Sequence, residues 1–136
     1  CVVMDPGGEG GDVFTRTKGF FLDRLQAAEQ LGIPRQRLCF DPGIGFGKTN
    51  EENFALIANP EKIRVPGTAL LMAASRKRVI GAVCGNPPFE DRMAGTVAAH
   101  TASVLFGADM VRAHDTFEAV QAARVADAIK QFRKGV

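Results

Sequence analysis

Four short apolar runs, each followed by a longer segment of helical pattern, leave this chain few folds to choose from. The runs are Val2–Met4, Arg37–Phe40, Ala69–Ala73 and Asp109–Val111. Short runs without strict alternation suit strands buried on both faces, and repeated strand–helix alternation argues for a parallel sheet covered by helices. After the first run, Asp12 is placed to cap a helix with Phe14, Phe21, Leu25 and Ala28 on one face, ending before Gly32. Thr49 and Glu52 form the capping-box pattern that opens a second helix, and Pro60 stops it soon afterwards. After the third run, Ser75–Gly81 reads as a short helix, and the turn Gly85-Asn86-Pro87-Pro88 leads into a longer, Ala-rich helix that Gly107 ends. Asp115 and Glu118 open the last helix. Its Ala122, Val125, Ile129, Phe132 and Val136 form an apolar stripe, and Arg124, Asp127, Lys130, Gln131, Arg133 and Lys134 form a solvated face. The chain begins at Cys1 inside an apolar run, which reads as a strand already in progress.

Composition removes several function classes. With 46% apolar and 24% charged residues the chain resembles an ordinary globular domain, not a disordered, collagen-like or coiled-coil one. No apolar run approaches the ~18–20 residues a membrane span needs. A net charge of +2 argues against nucleic acid or an anionic membrane as the main partner. Cys1, Cys39 and Cys84 contain no closely spaced pair, and the only histidines are His100 and His114. Neither a disulfide framework nor a zinc site is indicated, so the thiols read as packed or incidental and the cytoplasm is the expected compartment. His100, mid-helix among alanines, reads as packing or surface.

The residues with chemistry collect where each strand ends. Met4-Asp5-Pro6-Gly7-Gly8 follows the first strand and Asp41-Pro42-Gly43-Ile44-Gly45-Phe46-Gly47-Lys48 the second; Ser75-Arg76-Lys77-Arg78 follows the third and Arg112-Ala113-His114-Asp115 the fourth. Ligands in parallel α/β folds bind at the carboxyl ends of the strands, so these loops converge on one rim. The Gly-rich loop is not a P-loop, because Pro42 stands where the motif needs its first Gly, and it misses the dinucleotide fingerprint by one residue. Its glycines suit a tight turn that lets backbone approach a ligand, or a flexible turn without one. Asp41 closes an apolar strand, where a carboxylate must cap, pair or meet a ligand with convergent N–H donors. Arg76, Lys77 and Arg78 make either an anion site or a solvated basic turn. Arg112 and His114 project from one face and offer a guanidinium fork and an imidazole donor suited to phosphate or pyrophosphate.

Taken in order, Asp41–Lys48, Ser75–Lys77, Arg112–Asp115 and the Asn53 after the Gly-rich loop resemble dihydropteroate synthase over essentially the whole chain. The resemblance covers only the second half of that family, a (β/α)8 TIM barrel, with these four units looking like its fifth to eighth. Residues 1–136 are thus expected to be about half of a barrel of ~250 residues. The resemblance implies condensation of 6-hydroxymethyl-7,8-dihydropterin pyrophosphate with para-aminobenzoate, giving 7,8-dihydropteroate and pyrophosphate for folate synthesis. It makes Asp41 the carboxylate on the pterin's N–H edge, Lys77 the lysine that reaches the pterin ring, and Arg112 and His114 the pyrophosphate pair. Phe46 then lines the aminobenzoate pocket, Met4 packs on the pterin, and Arg78 stands where the aminobenzoate carboxylate binds. The catalytic set is Lys77, Arg112 and His114. Mg²⁺ is the implied cofactor, its ligands coming largely from the family's first half, so no metal ligand is assigned here. A homodimer is implied for the full-length protein. The chain departs from the family pattern at Asp5, where His is common, at Ala69, where Pro is common, and at Ala73, where Gly is usual and a methyl narrows the pocket. Besides the enzyme, two other readings stay open: a catalytically silent relative that keeps pterin or phosphate binding, and a half-barrel that pairs with a copy of itself.

Overall fold

The computed structural model describes residues 1–133. β1 (Val2–Met4), β2 (Cys39–Asp41), β3 (Ala69–Met72) and β4 (Met110–Val111) form a four-stranded parallel sheet in the order β1-β2-β3-β4. Between and after them lie α1 (Val13–Gln30), α2 (Asn50–Ala58), α3 (Arg78–Val83), α4 (Met93–Phe106) and α5 (Thr116–Arg133). A strand order that always advances the same way, with crossovers of one hand, puts successive helices on the same face of the sheet. The core follows that geometry. Phe40, Leu70 and Met72 of the strands join Phe21, Leu25, Leu56, Ile57, Val79 and Ile80 of the helices in one buried cluster. Phe21 and Phe40 stack at its centre with ring centroids 4.6 Å apart.

The other face of the sheet carries only a small cluster, Cys39, Leu71 and Ala73 with Ala69 beside it. At its edges Val2 and Met110 are 54% and 44% exposed. Burial pushes the Cys39 thiol above its ordinary pKa, while Cys1 and Cys84 are exposed. Among the described residues no helix is long and apolar enough to cross a membrane.

The local signals of the sequence operate as written. Asp12 accepts from the Thr15 amide, and Thr49 and Glu52 complete a reciprocal capping box. Several boundaries move. Arg37 belongs to a 3-10 turn, Arg35–Arg37, in which its amide bonds Pro34, so β2 begins only at Cys39. Ala73 lies just past the end of β3. Asp109 stands outside β4 because its carboxylate accepts the Leu70 amide at 2.8 Å and pairs with Arg64 at 2.9 Å. The short helix expected over Ser75–Gly81 forms at Arg78–Val83, because Lys77 closes a turn onto Ala74 and Arg76 takes a left-handed φ of 54°. On α1, Val13 and Thr17 are buried with Phe21, Leu25 and Ala28, whereas Phe14 is half-buried against the Lys62 ammonium.

The largest correction concerns α5. Its buried residues are Ala122 and Ala126, small enough for close packing on α4, whereas Val125, Ile129 and Phe132 are exposed, Phe132 to 81%. An apolar stripe is buried only if a surface lies opposite it, and the described residues supply none there. Val136 of the same stripe and Lys134 of the solvated face lie outside the described residues.

His100 is packed inside α4 at 1% exposure, where the Ala74 amide donates to its Nε2 and Nδ1 has no partner. Burial lowers its pKa below the ordinary histidine value. In the unfolded chain the imidazole takes a proton as pH falls through about 6.5, whereas the folded chain keeps it neutral, so stability drops below that pH. Urea unfolding at pH 7.5 and pH 5.5 is therefore expected to show a lower midpoint at the acid value. The difference should shrink in His100→Gln; an undiminished difference would show that other groups carry it.

Candidate active site

The four strand ends do meet, and their loops are bound to one another by groups far apart in sequence. The β1 and β2 loops interlock through Asp5, which is 5% exposed. One of its oxygens accepts the Gly7 amide; the other accepts the Thr17 hydroxyl at 2.9 Å and lies 3.2 Å from the Lys48 ammonium. Lys48 also donates to the Phe46 carbonyl. Asp5, a departure from the expected pattern, is thus the anion that neutralises a buried lysine and ties the Gly-rich loop down. Asn53 helps from α2, its side-chain oxygen accepting the Gly45 amide at 2.8 Å and its nitrogen donating to the Thr49 carbonyl.

The β3 and β4 loops are clamped in the same way. Arg76 grips Asp115 with two guanidinium nitrogens, which raises the pKa of the arginine and lowers that of the carboxylate. Asp115, expected to cap α5, spends its carboxylate on this pair instead. Arg76 consequently does not join the free cations of the rim. Its amide donates to the Thr96 hydroxyl at 2.8 Å and its carbonyl accepts from Arg92, so α4 and the residue that precedes it pin the turn from behind. Ser75 bonds both the amide and the ring of His114, and Phe89 packs edge-on against that ring.

What remains for a ligand is specific. Asp41 is 1% exposed; one oxygen accepts the Gly43 amide at 2.8 Å, and the other, Oδ2, has no hydrogen-bond partner. Arg112 stands 3.5 Å from that oxygen, close enough for attraction but too far for a hydrogen bond, and is itself 60% exposed. Lys77 crosses the Gly-rich loop, donating to the Ile44 carbonyl and lying 4.7 Å from the Phe46 ring centroid. Burial lowers the Lys77 pKa, opposed by Asp41 and aided by Arg112 and Lys48. A Cβ at Gly45, where φ is +85°, would strain the backbone and lie 3.3 Å from the Lys77 stem, which would have to shift slightly to make room.

Lys77 borders two cavities. One, of about 380 Å³, is lined by Ala73, Ser75, Lys77, Arg112, Ala113 and His114. The other, of about 190 Å³, is walled in part by Phe46, Lys48, Asn53, Lys77 and Arg78. The larger offers cationic donors beside a buried carboxylate; the smaller offers an exposed aromatic ring in a wall that also carries three cations. Met4 reaches neither cavity but pairs in register with Asp41 on the neighbouring strand. Ala73 does line the larger one, so its methyl takes up space there.

A family model described as pterin binding enzyme matches residues 2–114. The chain belongs to that family. It is 36% identical over 117 residues to the dihydropteroate synthase of Escherichia coli, covering 86% of this chain and 41% of that one. It is 40% identical over 120 residues to a mitochondrial folate synthesis bifunctional protein of Arabidopsis thaliana, covering 82% of this chain and 22% of the relative. Among solved structures, the dihydropteroate synthase of Burkholderia cenocepacia complexed with 7,8-dihydropteroate superimposes with a TM-score of 0.90 at 34% identity, over 99% of this chain and 54% of that one. The Xanthomonas albilineans dihydropteroate synthase with 4-aminobenzoic acid gives 0.88 at 37%, over 95% and 48%. The chain therefore spans less than half the length of these curated relatives and about half of the solved chains.

Some members of this site were not legible as such in the sequence. Phe89 carried no signal, Thr96 lay unmarked on an Ala-rich helix, and Asp115 stood within a motif but read as the start of a helix with no partner indicated. Ser75 stood within a motif but without an indicated partner.

Proposed function

We propose that the protein containing this chain is a dihydropteroate synthase, a transferase that joins a dihydropterin-CH₂-pyrophosphate to para-aminobenzoate. The observation that carries the reading is the unpartnered oxygen of buried Asp41 beside Arg112, at the edge of a cation-lined cavity. A buried carboxylate oxygen without a donor is costly unless a ligand supplies one. The pterin's ring N–H and 2-amino group are two donors in the spacing a carboxylate accepts.

In this reading Arg112 turns from Asp41 to the pyrophosphate when substrate enters, which its exposure permits, and Asp41 is released to the pterin. Arg112 and His114 stabilise the negative charge that grows as the C–O bond to pyrophosphate breaks with its electron pair. Para-aminobenzoate lies in the smaller cavity, its carboxylate toward Arg78 and its ring against Phe46. Its amine is neutral at pH 7 and attacks the methylene carbon with its lone pair, then loses a proton to solvent. Lys77, bordering both cavities, holds the two substrates in line. Met4 supports the pterin end through its place beside Asp41.

We also propose that residues 1–136 are the second half of a (β/α)8 barrel. The sequential parallel order, the helices on one face and the sparsely covered opposite face are what half a barrel presents. For Mg²⁺ the chain offers no fit. Among the described residues no three His, Cys, Asp or Glu side chains converge on one ion, and Asp41 already faces a guanidinium. None of the steps above is routed through a metal.

The test is pyrophosphate release by the intact protein given both substrates. Lys77→Ala is expected to lower kcat/KM about 100-fold by removing a group that touches both substrates. Release that is undetectable in the parent protein, with pterin binding retained, would instead identify a silent binding relative.

A further inference from the structure

We propose that Ser75 is a positioning residue that fixes the His114 imidazole in one tautomer, with the proton on Nε2, so that Nε2 donates to a phosphoryl oxygen. The inference rests on the role assigned above to His114 as a holder of pyrophosphate. It adds a residue to that site and a protonation state to the ring.

The argument is one of hydrogen-bond satisfaction. Ser75 is 5% exposed. Its Oγ accepts the His114 amide at 3.1 Å and lies 2.9 Å from His114 Nδ1. A hydroxyl has one proton and two lone pairs, and the amide already occupies one lone pair. If Nδ1 carried the ring proton, Oγ would accept twice and its own proton would find no acceptor in the surrounding protein, only the cavity that Ser75 lines. Among the described residues Ser75 Oγ has no hydrogen-bond partner outside His114. Donation from Oγ to Nδ1 satisfies every group. The neutral ring then carries its proton on Nε2, the nitrogen left for a ligand.

The surroundings hold this arrangement in place. Phe89 meets the His114 ring edge-on with centroids 5.3 Å apart, and the Arg76 guanidinium stacks over Phe89 at 5.2 Å. Arg76 in turn grips Asp115, so adjacent residues of the β3 loop hold adjacent residues of the β4 loop. An imidazole that presents N–H to a leaving group stabilises developing negative charge; the other tautomer would present a lone pair and repel it.

The experiment is nitrogen-15 NMR of histidine-labelled intact protein above pH 7.5, with His114 assigned by its loss in His114→Asn, and with inorganic pyrophosphate as the probe. In the parent protein His114 is expected to show an unprotonated Nδ1 and a protonated Nε2, with Nε2 shifting on pyrophosphate addition. Ser75→Ala should populate both tautomers and weaken pyrophosphate binding about tenfold, and Ser75→Thr should restore both. A proton on Nδ1 in the parent protein overturns the proposal without need of any variant. So does a tautomer and affinity unchanged in Ser75→Ala. A Ser75-dependent tautomer that ignores pyrophosphate would overturn the pyrophosphate role of His114, and with it the donation step, while the Ser75 contact stood.

Discussion

Replacing Asp41 by Asn is expected to lower kcat/KM for pyrophosphate release by about 100- to 1000-fold while the protein stays folded. The carboxylate sits at the end of β2 with Oδ1 engaged by the Gly43 amide and Oδ2 unpartnered. An Asn oxygen can keep the Gly43 bond, so the loop has no reason to move. Its amide nitrogen then occupies the place of Oδ2 and presents N–H groups to a ligand edge that is itself made of N–H donors. Two donors facing each other in a buried site exchange a charge-assisted pair for a repulsion. Removing a buried charge whose Oδ2 accepts no hydrogen bond, while the Gly43 bond is kept, leaves thermal stability equal or higher, the usual direction for a group kept for function. Pyrophosphate binding should persist, since Arg112, Lys77 and His114 remain. Calorimetry with a pterin and with pyrophosphate separates the two. Loss of both affinities together, or of neither, would sink the assignment of Asp41 to the pterin.

Gly43→Ala should be the most damaging single methyl in the Gly-rich loop. Gly43 has a φ of +67°, and a Cβ there would fall 2.0 Å from the Asp5 carbonyl oxygen. Neither partner is a flexible side chain. The Asp5 amide donates to the Asp41 carbonyl at 2.8 Å, and its carboxylate is held by Thr17 and Lys48, so it cannot retreat without breaking a buried ion pair. Left-handed strain and overpacking together predict a loss of about 3–5 kcal/mol, a fall in Tm of roughly 10 °C. Gly8→Ala is the internal comparison. Nothing lies within 4 Å of a Cβ at Gly8, and the change should stay within about 0.5 kcal/mol. Thermal unfolding followed by circular dichroism reads both. Equal midpoints for the two variants would contradict the interlocked-loop geometry.

The parts of the fold that could be read along the chain are those whose cause is local. The Asp12 cap and the Thr49–Glu52 box need only backbone a few residues away, and both form where their residues stand. Strand existence was equally plain, though Arg37 and Asp109 were assigned to strands that they flank. A 3-10 turn and an ion pair with Arg64 decide those ends, and neither leaves a periodicity to detect. α5 shows the limit in the other direction. Val125, Ile129 and Phe132 recur at helical spacing, but spacing identifies a face and not what lies against it; the burial goes to Ala122 and Ala126.

The site divides along the same line. The motifs place one acid, several cations and a histidine at four strand ends, and parallel connectivity sends those ends to one rim. Which charges stay available is a separate matter, set by pairings across tens of residues of chain. Lys48 is neutralised by Asp5 and Arg76 by Asp115, leaving Lys77, Arg112 and Arg78 to face the cavities. By itself the sequence determined the βα rhythm, the helix caps and the family motifs, because each depends on neighbours along the chain. Only the tertiary structure decided which cations are spent and that one oxygen of Asp41 lies buried without a donor. Charge and hydrogen-bond pairing depend on distance through space, and the register of the parallel strands sets that distance.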